Sequence, residues 1–130
     1  MKKVFVNGYG SIGSRITKFI KGDPDIDVVG IGKHSSNEKV QHVINDGFSV
    51  YVPEDKSDNF KDYNISGSIE SVLDDCDLVI EAVPEIMDLK KKVYAELDKA
   101  SNDQVIFASN TSTLPITEIE NTISRPDKFI

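Results

Sequence analysis

With 130 residues, 38% hydrophobic and 28% charged, the chain has the size and balance of one folded domain with a sizeable core. Its formal net charge of −7 argues against nucleic acid or an anionic membrane as partner, since both require a basic face. No segment approaches transmembrane length and no signal-peptide pattern opens the chain; with a single cysteine, which excludes an internal disulfide, the expectation is a cytoplasmic domain.

Strand and helix signals alternate from the first residues. A β-prone run over residues 3–7 leads into Gly8-Tyr9-Gly10-Ser11-Ile12-Gly13, and a helix is expected over 11–22 with Ile12, Ile16, Phe19 and Ile20 on one face. Asp23-Pro24-Asp25 breaks it before a strand over 27–31. Asn37 is placed to cap a helix running to Asp46, which Gly47 closes. A short β-rich run over 48–52 ends at Pro53, residues 54–67 read as polar and irregular, and 69–73 as a short helix. Residues 77–83 form the clearest buried strand, ended by Pro84. A helix over 86–100 aligns Leu89, Val93 and Leu97, a strand follows over 105–109, and a helix over 115–122 carries proline in its first turn. Such alternation predicts an α/β fold, a single three-layer domain around a parallel sheet.

The glycines give that sheet a use. In G-x-G-x-x-G between strand and helix, Gly8 permits the tight turn, Gly10 lets a pyrophosphate approach the backbone, and Gly13 lets the helix pack against the strand. Phosphates would sit on the free N–H groups of Tyr9, Gly10, Ser11 and Ile12 at the helix start. The expectation is a Rossmann-like doubly wound parallel sheet binding NADP or NAD; the bland alternative is a glycine-rich turn that holds nothing. An NAD site calls for an acidic residue at the end of the second strand, about 20 residues past the glycines. Here that strand ends Gly30-Ile31-Gly32-Lys33-His34-Ser35-Ser36 with no Asp or Glu. Lys33 and the hydroxyl of Ser35 suit a 2′-phosphate, favouring NADP, unless Lys33 is an ordinary solvated lysine. His34 reads as a loop histidine, and Tyr9 either packs over the ribose or covers the strand end.

Two family resemblances follow from these residues. Val6-Asn7-Gly8-Tyr9-Gly10-Ser11-Ile12-Gly13, Val28-Val29-Gly30-Ile31-Gly32-Lys33, Tyr51-Val52-Pro53 and Gly67-Ser68-Ile69-Glu70 make residues 1–83 resemble the N-terminal part of archaeal-type glyceraldehyde-3-phosphate dehydrogenase. That resemblance implies a 2′-phosphate contact for Lys33. Asp77-Leu78-Val79-Ile80-Glu81-Ala82-Val83-Pro84-Glu85, Leu89-Lys90-Lys91-Lys92-Val93 and Phe107-Ala108-Ser109-Asn110-Thr111-Ser112-Thr113-Leu114-Pro115 make residues 77–130 resemble the NAD-binding domain of 3-hydroxyacyl-CoA dehydrogenase. It implies that Glu85 and Lys90 lie at the cofactor, and that Ser112, with Asn110 on the same turn, faces the substrate. Two parents imply a chimera joined near residues 77–84, or else a diverged natural domain. Without the resemblance, Glu85 could simply favour a helix N-terminus, Lys90-Lys91-Lys92 could be a solvated helix face, and Asn110 and Ser112 ordinary capping residues.

Catalysis is the weaker expectation. The second resemblance implies a histidine base paired to a glutamate, and neither His34 nor His42 stands in the matching segment. The first implies a cysteine nucleophile, but Cys76 lies among Asp74, Asp75 and Asp77, which oppose a thiolate, and it reads as structural. Those aspartates form a solvated turn rather than a metal site. Three functions therefore compete: a cofactor module without turnover, an enzyme completed by a partner chain or domain, and a scaffold binding nothing. A homodimer through the face left open by a missing domain is also expected.

Overall fold

Alternation along β1 (Lys2–Asn7) divides the molecule: Val4 and Val6 face one side of a sheet and Phe5 the other, all fully or nearly buried. The computed structural model describes residues 1–111, 114–124 and 126–130. After β1 come α1 (Ser11–Lys21), β2 (Ile26–Gly32), α2 (Lys39–Asn45), β3 (Val50–Val52), a 3-10 helix (Glu54–Phe60), β4 (Gly67–Ser68) and α3 (Ile69–Leu73). The second half holds β5 (Leu78–Glu81), α4 (Met87–Ala100), β6 (Ile106–Ser109), α5 (Ile116–Glu120) and a closing 3-10 turn (Pro126–Lys128). The six strands lie in the order β4-β3-β2-β1-β5-β6, every pair parallel. From β1 the chain walks outward through β2, β3 and β4, then crosses back to β5 on the other flank of β1. That reversal puts α1 and α2 on one face and α3, α4 and α5 on the other.

Each face has its own core. Val4, Val6, Ile31, Val50 and Val52 of the sheet pack with Val40 and Val43 of α2, Phe60 and the partly buried Ile20 of α1. On the other side Phe5, Val79 and Phe107 meet Ile69 and Leu73 of α3, Val93, Tyr94 and Leu97 of α4, and Ile119 of α5. Tyr94 stands edge-on to Phe107 at 5.8 Å between ring centres and lies against Phe129 at 5.2 Å. Buried side chains of this size contribute about 1.5–3 kcal/mol each, so both layers are needed for a domain this small. No helix among the described residues is long and apolar enough to cross a membrane.

The expected α/β sheet is present, with three local corrections. The stretch over 54–67 is not irregular throughout: it folds as the 3-10 helix and leads into β4, a two-residue edge strand too short to show alternation. The central strand is Leu78–Glu81, shorter than 77–83, because the chain turns at Ala82 toward the top of the sheet. On α1 the inward face runs through Gly13, Thr17 and Ile20, leaving Ile12 47% and Phe19 86% exposed. Gly13 fixes that rotation because only its bare Cα fits against the preceding loop, and Ile12 and Phe19 then point away. Asn37 does accept the Lys39 N–H, though α2 begins past Glu38. Gly47, at φ +89°, ends the helix in the left-handed conformation that glycine adopts without strain.

Candidate functional site

The carboxyl ends of β1, β2, β5 and β6 surround a cleft of about 550 Å³. Its walls are the Gly8–Ile12 loop, residues 32–35 after β2, Ala82 to Glu85 after β5, and Asn110 after β6. It opens where the strand order reverses at β1, the place where an open parallel sheet offers loop ends and helix starts to a ligand.

Each motif glycine has a distinct environment there. Gly8 has φ +121°, and a Cβ on it would lie 2.7 Å from the Ala82 carbonyl oxygen. A Cβ on Gly13 would lie 2.3 Å from the Gly8 carbonyl oxygen and 3.2 Å from the Ala82 Cβ, so α1 touches both β-ends directly. A Cβ on Gly10 would meet nothing within 4 Å. Packing therefore requires Gly8 and Gly13, whereas the space beside Gly10 is open. Gly10 also starts α1 without a side-chain cap, and no acidic residue stands in the first turn. The first N–H groups of the helix thus face the cleft with no carboxylate competing for them.

On the β2 side, Lys33 is only 8% exposed and forms no ion pair among the described residues. Burial lowers its pKa, the nearby Lys39 lowers it further, and Glu38 opposes them. Lys33, Ser35 and Lys39 all line the cleft. His34 lies beside them, its Nε2 2.9 Å from the Asn7 Oδ1 at the end of β1. Burial first, then the charges of Lys56, Lys33 and Lys92, drop its pKa from 6.5 to about 4. A histidine with a depressed pKa takes up its proton more readily in the unfolded chain. The neutral form therefore stabilises the fold fully above pH 6.5, and that contribution is lost as pH falls toward 4. The thermal midpoint should decline across that window, and His34→Gln should flatten the decline between pH 6.5 and 5; an unchanged slope would remove His34 as its source.

The β5–β6 side is built around a buried ion pair. Glu81 and Lys90 are both 0% exposed, with Lys90 Nζ 2.5 Å from Glu81 Oε2. Lys90 also donates to the Val83 carbonyl at 3.1 Å and to Asn110 Oδ1 at 3.3 Å, and lies 3.4 Å from Glu85 Oε1. Glu81 accepts the Val83 N–H at 2.9 Å and the Ser109 hydroxyl at 2.6 Å. Val83, Glu85 and Asn110 reach the cleft; Lys90 is not among its lining residues.

The family model for the NAD binding domain of 3-hydroxyacyl-CoA dehydrogenase matches residues 3–130. The chain belongs to this family. The matched span includes residues 77–84, where the two resemblances meet. A glyceraldehyde-3-phosphate dehydrogenase of Metallosphaera sedula is 30% identical over 131 residues, covering 98% of this chain and 38% of that protein. The mitochondrial hydroxyacyl-coenzyme A dehydrogenase of Mus musculus is 48% identical over 59 residues, 45% of this chain and 19% of that protein. Among solved structures, the 3-hydroxyacyl-CoA dehydrogenase of Archaeoglobus fulgidus superposes with a TM-score of 0.68 at 25% identity, over 99% of this chain and 40% of its own. This chain thus spans less than half of each relative, matching the N-terminal domain of a 3-hydroxyacyl-CoA dehydrogenase-like oxidoreductase.

Within this NAD-binding domain the remaining sequence candidates fall into place. The Tyr9 ring is buried in the α1/α2 core beside Phe48, and its hydroxyl donates to Asp46 at 2.5 Å, so it covers the strand end, with its backbone on the cleft. Ile12, turned outward by that rotation of α1, lines the cleft wall. Cys76 is buried and its thiol is pushed up to about 12, by burial first and by Asp75 and Asp77 second. Asp75 and Asp77 both engage Lys3, and among the described residues no group of His, Cys, Asp and Glu could hold a metal. Ser112 lies outside the described residues. What sequence reasoning missed is Glu81, the hub of the β5–β6 side; a carboxylate inside an otherwise apolar strand was its available signal.

Proposed function

We propose that this domain binds NADPH in preference to NADH, and that hydride transfer requires residues it does not itself bring to the nicotinamide end. The observation that carries the preference is Lys33: a lysine only 8% exposed, with no ion pair among the described residues, beside Lys39 on the cleft, where an NAD site would place a carboxylate. A 2′-phosphate there gives two like charges a common counter-ion, with the Ser35 hydroxyl as a further donor. The cleft fits the rest of a dinucleotide: the space beside Gly10 admits a pyrophosphate, and the uncapped start of α1 offers N–H groups to it. The adenosine end then lies on the β2 side and the nicotinamide end on the β5–β6 side, with Glu85 and Asn110.

The bound nicotinamide supplies the hydride chemistry. A carbinol gives up hydride efficiently only when a base takes its hydroxyl proton. The described nicotinamide end presents Asn110, backbone groups and Glu85, the last drawn toward Lys90. His34 sits at the opposite end and His42 lies on α2. The domain therefore acts as a cofactor-holding module of an oxidoreductase. Calorimetric titration of NADPH and NADH tests this. NADPH should bind more tightly, and Lys33→Ala should weaken it about ten- to a hundred-fold, as for a lost charge-assisted hydrogen bond, while leaving NADH unchanged. Equal binding of both would remove the phosphate-reading role of Lys33. Absence of both at millimolar concentration would leave the glycine loop as a turn.

A further inference from the structure

We propose that Lys33 is an amine nucleophile. The cleft takes an aldehyde that carries a phosphate and holds it covalently, as an imine on Lys33 Nζ.

A lysine attacks a carbonyl only as the free amine, and two surroundings favour that form: removal from water and a second cation nearby. Lys33 has both. It is largely buried, has no ion pair among the described residues, and lies close to Lys39. Burial lowers its pKa first and Lys39 second, with Glu38 opposing them. Each unit of lowering makes the free amine about ten times more abundant at neutral pH. Burial has not closed it off, because Lys33 lines the cleft with Ser35 and Lys39. The other buried lysine is the contrast: Lys90 is held by Glu81 and is not among the cleft-lining residues.

The same cleft supplies the phosphate site. The Gly8 N–H donates to the Gly32 carbonyl at 3.0 Å, which sets the glycine loop beside Lys33. The start of α1 offers its N–H groups there with no acidic residue in the first turn. A phosphate resting on them brings the rest of a small ligand against the β2 wall. Lys33 Nζ then bonds to the carbonyl carbon while the C=O π pair moves to oxygen. That oxygen takes a proton from the nitrogen, and water leaves as the C=N bond forms. Aldehyde and amine become imine and water, with no change of oxidation state and no co-reactant. A 2′-phosphate beside Lys33 favours the ammonium, which cannot attack, so the imine and NADPH exclude one another.

Pyridoxal 5′-phosphate is the probe, given substoichiometrically, with borohydride to fix the imine as a secondary amine and peptide mapping to locate it. Lys33 should carry about ten times more adduct than any other lysine, as one unit of pKa lowering predicts. Pyridoxal, the same aldehyde without the phosphate, should label Lys33 about tenfold less, as for lost charge-assisted hydrogen bonds. Lys33→Arg keeps a cation but cannot form the imine, so it should remove this adduct without creating another. Adduct spread evenly over the exposed lysines, adduct concentrated on Lys39, or equal labelling by pyridoxal would each overturn the proposal. The wild-type map decides the matter even if Lys33→Arg does not fold. Saturating NADPH should suppress the adduct; a labelled Lys33 that NADPH does not protect would overturn the dinucleotide reading and leave the imine standing.

Discussion

Lys90→Met should destabilise the domain by about 3–5 kcal/mol in urea unfolding, among the largest effects of any single substitution here. Glu81 is 0% exposed, and with Lys90 gone its carboxylate loses its cation and keeps neutral donors, the Val83 N–H and the Ser109 hydroxyl. Glu81→Gln leaves the mirror problem, an ammonium whose remaining carboxylate is Glu85, on a side chain 37% exposed. The Glu81→Gln/Lys90→Met double variant removes both charges, so it should recover much of the loss, with a coupling energy of about 2–3 kcal/mol. Volume alone would predict otherwise, since methionine fills nearly the space of lysine. A Lys90→Met variant within about 0.5 kcal/mol of wild type would show that the pair is not sealed from water. The exposed Lys3–Asp75 pair is the contrast: open to solvent on both sides, it should contribute close to nothing.

The same pair shows where the sequence was legible and where it misled. Lys90-Lys91-Lys92 reads as a charged helix face, yet Lys90 lies with Val93, Tyr94 and Leu97 at i, i+3, i+4 and i+7 on the buried side of α4. Charge type argued for solvent and periodicity for the core; periodicity won because Glu81 supplies a buried partner, which only the pairing of β5 with its neighbours brings near. The strands that build the sheet centre were readable because they are continuous apolar runs covered on both faces. β4 was not, since two residues carry no period, and α1 was misread because four apolar side chains outvoted Gly13 and Thr17, whose small size is what lets the helix approach. The glycine loop was legible down to individual roles: its constraints are local sterics. Lys33 was legible as a cation in the right place, but not as a largely buried residue without an ion pair among the described residues.

The two glycines flanking the start of α1 should separate folding from binding. Gly13→Ala puts a methyl 2.3 Å from the Gly8 carbonyl oxygen and 3.0 Å from its carbon, both backbone atoms that cannot swing aside. The helix must lift from the strand, and a cost of about 1–3 kcal/mol should outweigh the better helix propensity of alanine, worth at most about 1 kcal/mol. Affinity for NADPH should fall with it, since the N–H groups move with the helix. Gly10→Ala meets nothing within 4 Å, and Gly10 already has an extended backbone that any residue adopts, φ −80° and ψ −158°. Its thermal midpoint without ligand should therefore fall only by the roughly 0.5–1 kcal/mol that separates alanine from glycine at an N-cap. The added methyl occupies the space that a pyrophosphate needs, so NADPH binding should weaken more than tenfold. Thermal melts with and without NADPH read both quantities, because ligand at a hundred times its Kd stabilises the native state by about 2.7 kcal/mol. Gly13→Ala should lower both curves strongly, whereas Gly10→Ala should lower the unliganded curve slightly and shrink the ligand-induced shift. If Gly10→Ala keeps the full ligand-induced shift, the phosphates do not lie on this loop, and the open space beside Gly10 has no part in binding.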